Sequence, residues 1–160
     1  IYDIPGRTGV RITDETLARL AEHERILAVK DATGDVEQGF RRMEATGLEY
    51  YSGDDGLNFA WLAHGASGVV SVVAHADAHS WREMITEVDA GDLAGARAVA
   101  RRIRPLVQAI MGGGQGAVMA KEALLLQGRI PSAALRLPLV RAEADEVAAL
   151  RAVLDASGLL

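Results

Sequence analysis

The feature that most constrains the fold is an alternation, from Ile1 to about Ala90, of amphipathic stretches with short apolar or β-branched runs. That pattern favours a parallel α/β layout, in which strands bury both faces under helices. Thr13, followed by Asp14 and Glu15, predicts a capped helix running to about His23 with Leu17, Leu20 and Ala21 on one face. The run ILAV, Ile26 to Val29, reads as the next strand. Asp35 with Gln38 predicts a second capped helix to about Ala45, ended by Gly47, and Leu48 to Tyr51 follows as a strand. Asp55 or the residue before it is expected to open a helix through Leu62 and Ala63, VVSVV (Val69 to Val73) to form a strand, and Asp77 to start a helix reaching about Val88.

From Asp92 onward the strands stop. Helices are predicted at about 92 to 110, 117 to 127 and 143 to 156, joined by GGGQG (Gly112 to Gly116) and by the proline-bounded segment Ile130 to Pro138. Residues 1–90 are therefore expected to hold βα repeats and residues 91–160 a helical domain. Three strands and the end of a fourth do not make a self-sufficient parallel sheet, because its edges need neighbours. A whole (β/α)₈ barrel takes about 250 residues, so roughly four units are expected upstream. The chain begins Ile1, Tyr2, Asp3, inside what reads as an ordered segment. The predicted fold class is α/β: the C-terminal half of a (β/α)₈ TIM barrel followed by a C-terminal helical domain.

Composition narrows the partners. Asp and Glu outnumber Lys and Arg 22 to 17, for a net charge of −5, and no basic run exceeds two residues, so nucleic acid is not an expected partner. With no cysteine there is neither a disulfide framework nor a thiolate site, and no apolar stretch is long enough to span a membrane. A cytoplasmic location is expected.

Lys30 and Lys121 are the only lysines among the 17 basic residues. Lys30 ends ILAV and precedes DATG, so a strand delivers an amine to the carboxyl end of the sheet, where barrel enzymes place their chemistry. Partial desolvation there disfavours an ammonium, which suits a lysine that attacks a carbonyl to form a Schiff base. The competing reading pairs Lys30 with Asp31 or a helix terminus. Lys121, in MAKEALLLQG, reads as a solvated or structural helix residue. Tyr2 and Arg7 lie in the opening segment, where a strand end runs into the turn IPGRTG: a phenol can relay protons to and from a carbinolamine, and a guanidinium can hold a carboxylate by two hydrogen bonds. Each is also a common packing or surface residue. In SGDD, Gly53 lets backbone approach a ligand, and Asp55 reads as a helix cap rather than half of an acid/base pair. His75 and His79 stand four apart without a third ligand in view, so no metal is expected; GGGQG lacks the strand and the Gly-Lys-Ser/Thr of a phosphate loop.

Three blocks, IYDIPGRTGV, ILAVKDATGD and YYSGDDGLNFAWLAHGASGVVSVVAH, together resemble the pyruvate-dependent class I aldolase family, with VMAKEALLLQG and LRLPLV following in the family's order. The resemblance is nearest to the members that condense pyruvate with aspartate 4-semialdehyde to 4-hydroxy-tetrahydrodipicolinate, in the lysine and diaminopimelate branch of amino-acid biosynthesis. It implies a (β/α)₈ barrel with a helical domain, assembled as a homotetramer, with no metal or organic cofactor. It further implies that Lys30 forms the imine with pyruvate, Tyr2 relays protons, Arg7 binds carboxylate, and Gly53, Asp54 and the main chain around Val70 line the pocket. The family's threonine pair and second tyrosine have no counterpart in these 160 residues, so the segment alone is expected to be inactive. GGGQG stands where the family often has an Asn-Pro-rich turn. Two alternatives stay open: a sister aldolase acting on a sugar acid, of the N-acetylneuraminate lyase or keto-deoxy sugar acid type, and a non-catalytic half-barrel module.

Overall fold

The computed structural model describes residues 1–113 and 115–160; Gly114, within the expected GGGQG connection, lies outside the described residues. The chain forms two compact units, Ile1–Ser71 and Val72–Leu160.

The first unit is α/β. Its sheet holds β1 (Tyr2–Asp3), β2 (Ala28–Asp31), β3 (Glu49–Ser52) and β4 (Gly68–Val69), all parallel and in the order β1-β2-β3-β4. The helices are α1 (Pro5–Thr8), α2 (Asp14–Ala21), α3 (Val36–Thr46) and α4 (Asn58–Ala63). Local chemistry sets their ends as expected. The Thr13 hydroxyl accepts the Thr16 N–H at 3.2 Å to start α2, and the Asp35 carboxylate accepts the Gln38 N–H at 3.1 Å to start α3. Gly47, at φ 65°, closes α3 in the left-handed conformation, where its N–H reaches the Met43 carbonyl. One sheet face packs on the helices through Leu17, Val29, Leu48, Tyr50 and Trp61, with Phe40 edge-on to Trp61 at 5.2 Å.

Three local expectations are corrected. The second strand runs to Asp31, two residues past Val29, because the ladder continues: the Lys30 N–H donates to the Ile1 carbonyl and the Ala32 N–H to the Asp3 carbonyl. VVSVV is not a strand over its length. Only Gly68–Val69 pairs with β3, and despite the valine-rich run from Val69 to Val73 the chain turns into a 3₁₀ helix at Val73–His75. Asp55 does not cap α4, which starts at Asn58 behind Leu57; its buried carboxylate accepts from the Asn58 side chain and from the Ser71 hydroxyl.

The second unit is helical: α5 (Ala78–Asp89), α6 (Leu93–Met111), α7 (Gly116–Leu126) and α8 (Ala144–Ala156). Asp77 and Asp92 cap α5 and α6 through the Ser80 and Gly95 N–H groups, as their positions predict. The core gathers Trp81 and Met84 of α5, Val99, Ile103, Leu106 and Ile110 of α6, and Leu150 and Leu154 of α8. Glu122, almost fully buried on α7, receives two hydrogen bonds of 2.8 Å from Arg141, and Lys121 donates to the Ala134 carbonyl at 2.6 Å. These bonds tie the segment before α8 to α7, giving Lys121 a structural role. Among the described residues no helix is long and apolar enough to cross a membrane.

Candidate active site

Parallel pairing aligns Tyr2 with Lys30, and Asp3 with Asp31. Because side chains alternate across a strand, Tyr2 and Lys30 share one face and the two aspartates the other. On the first face the Lys30 Nζ sits 4.0 Å from the centroid of the Tyr2 ring, over a π surface that attracts a lysine ammonium. Lys30 is half-buried between the buried residues Val29 and Asp31, and Tyr2 is 43% exposed.

Gly53 follows β3 and closes the other side. Its N–H donates to the Asp31 carbonyl at 2.7 Å, and a Cβ there would lie 2.9 Å from the Lys30 Cε and 3.0 Å from both its Cγ and the Asp31 oxygen. Only glycine lets the lysine stem lie against this backbone. Lys30, Tyr2 and Gly53 are thus brought together. Arg7, Asp54 and Val70 each follow the carboxyl end of a strand, β1, β3 and β4, and so occupy the same edge of the sheet without being drawn onto the amine. Arg7 is exposed on α1; Asp54 folds back to accept the Gly56 N–H at 2.9 Å; Val70 is 47% exposed, with its N–H donating to the Ser52 carbonyl at 2.8 Å.

Two sets of residues escaped sequence reasoning. Tyr51 is the register partner of Lys30 on β3 and lies on the same face, with its hydroxyl donating to Glu49 at 3.2 Å; that bond to a carboxylate raises the phenol pKa. Alternation from Lys30 is the signal that could have found it. The other set is Asp3, Asp31 and Arg42, all buried behind the strands. Burial raises the Asp31 pKa, opposed by the Thr33 N–H and hydroxyl, which donate to its carboxylate at 2.9 and 2.8 Å. Nothing local marks Arg42, which in FRRME reads as a solvated helix residue.

His75 ends the 3₁₀ helix and His79 belongs to α5, so the two do not share one helical face as ligands. No group of three or more His, Asp or Glu side chains capable of holding a metal occurs among the described residues.

The sequence model of the dihydrodipicolinate synthetase family matches residues 1–157. The chain belongs to this family. A curated relative, the 4-hydroxy-tetrahydrodipicolinate synthase of Kineococcus radiotolerans, is 52% identical over 99% of this chain and 52% of its own length. The crystal structure of dihydrodipicolinate synthase from Thermotoga maritima superposes with a TM-score of 0.94 at 38% identity, covering 99% of this chain and 55% of that one. A dihydrodipicolinate synthase from Acinetobacter baumannii, solved in complex with pyruvate, gives 0.92 at 33% identity, covering 99% and 55%. The chain therefore spans about half the length of the family members it matches.

Proposed function

We propose that these residues form the carboxyl-terminal half of a (β/α)₈ barrel with its helical domain, residues 1–90 and 91–160, in a homo-oligomeric synthase that condenses pyruvate with aspartate 4-semialdehyde. The observation that carries this is the Lys30 amine held over the Tyr2 ring against Gly53. The free amine of Lys30 adds to the pyruvate ketone, and loss of water leaves an iminium that acts as an electron sink. Loss of a methyl proton then gives an enamine, whose carbon bonds to the aldehyde carbon of the second substrate. Tyr2 carries protons during carbinolamine formation and breakdown, Arg7 holds the second substrate's carboxylate, and Gly53, Asp54 and Val70 line the pocket. No metal or organic cofactor enters this scheme. Family membership and the pyruvate complex of the Acinetobacter baumannii relative support pyruvate as the first substrate.

Borohydride trapping tests it. The polypeptide that carries these residues is incubated with pyruvate, reduced, and mapped by peptide mass spectrometry; with two lysines in the segment, the site is unambiguous. A reduced adduct at Lys30 is expected. A folded protein giving none would remove the imine chemistry from this chain.

A further inference from the structure

The imine chemistry just proposed, on which this inference rests, requires Tyr2 to keep its place over Lys30. What anchors it lies on the opposite face. Asp3, the next residue, is 3% exposed; its Oδ2 accepts from Arg42 Nη1 at 3.3 Å and its Oδ1 from the Ile12 N–H at 3.4 Å. Arg42 is 5% exposed, and its Nε donates to Asp14 Oδ1 at 2.6 Å and its Nη2 to the Ile12 carbonyl at 2.7 Å. One guanidinium therefore binds β1, the chain entering α2, and its own helix α3. Asp31, beside Asp3 in the ladder, turns its carboxylate to Thr33 and orders the loop after β2.

Stability alone does not call for such an arrangement. Well-packed apolar side chains hold a helix to a sheet as firmly as a buried ion pair does, without the cost of desolvating charge. What they lack is the directional geometry of a guanidinium, which fixes each partner by an oriented hydrogen bond. Arg42 is the one buried Lys or Arg among the described residues, and it is spent on the residue adjoining Tyr2. We propose that Arg42 is a positioning residue for the reaction: by clamping Asp3 from behind the sheet it fixes the Tyr2 phenol over the Lys30 amine.

The test is the rate of pyruvate-dependent borohydride trapping at Lys30 in the polypeptide that carries this chain. Arg42→Lys keeps the charge and loses the fork, and Asp3→Asn keeps the shape and loses the charge. Trapping is compared at a temperature where circular dichroism shows equal folded fractions. Each variant is expected to trap on the order of tenfold more slowly, the scale of a small misplacement at a reacting centre. In a Tyr2→Phe background the same substitutions are expected to add nothing, because Arg42 acts through Tyr2. Should Arg42→Lys not fold, the isosteric Asp3→Asn carries the comparison. Unchanged trapping, or equal slowing in both backgrounds, overturns the positioning role and leaves the imine chemistry standing. No adduct in the unsubstituted protein overturns both.

Discussion

Two faces of the same short ladder serve opposite ends. On one, Tyr2 and Lys30 stand against Gly53; on the other, one residue further along each strand, Asp3 and Asp31 are sealed with Arg42 beside the apolar packing of Leu17, Val29, Tyr50 and Trp61. In the reaction proposed for this chain, a single residue along the strand separates the imine-forming face from the face that anchors it. A period of two puts chemistry and anchorage on adjacent residues, so substitutions one position apart are expected to fail in different ways.

The sharpest break between the faces is Lys30→Ala. In the polypeptide carrying this chain it is expected to lower turnover on the order of 10⁴-fold or more, the scale of losing a covalent nucleophile, while a thermal melt stays nearly unchanged. Trp61→Ala, on the packed face at 1% exposure, is expected to do the reverse: about 3–5 kcal/mol of stability lost in denaturant titration, with Lys30 trapping intact in the folded fraction.

Tyr50, on the packed face, responds to pH. Burial pushes its pKa up to about 12 from 10.0. Between those values the unfolded chain gives up the phenolic proton and the folded chain keeps it, so stability is complete below about pH 10 and falls as pH rises toward 12. Tyr50→Phe is expected to abolish about 2 kcal/mol of that alkaline loss, seen as a flatter stability curve over this window. Gly53→Ala is a smaller perturbation, on the reactive face: its methyl presses on the Lys30 stem and is expected to slow trapping on the order of tenfold. Least of all, Arg41→Ala removes an exposed bond to Glu37 one helical turn away and is expected to shift stability by less than about 0.5 kcal/mol.

The parts of the fold legible in sequence were those decided locally. Thr13, Asp35, Asp77 and Asp92 cap helices because a side-chain oxygen and an N–H three residues on are enough to define the end. Asp55 misled because its acceptor went to the Ser71 hydroxyl, a partner the local pattern does not show. VVSVV misled because pairing with β3 stops after Val69, and β-propensity without a partner strand does not hold a strand. In the candidate site, Lys30 stands out by its rarity and its place at a strand end, and Tyr2 and Arg7 by their place where a strand end runs into the turn IPGRTG. Arg42 could not be seen: its burial depends on Asp3 and Asp14, 39 and 28 residues away.

The strand order β1-β2-β3-β4 also bears on how this unit is made. Register partners are separated by 28, 21 and 17 residues at Tyr2 with Lys30, Lys30 with Tyr51, and Tyr51 with Gly68. Each strand finds its neighbour across one short crossover, so the entropy of closing each loop is small and nearly uniform. Among these four strands every pairing is with the neighbouring βα unit, so strands added in chain order each find the partner they need in the one just before.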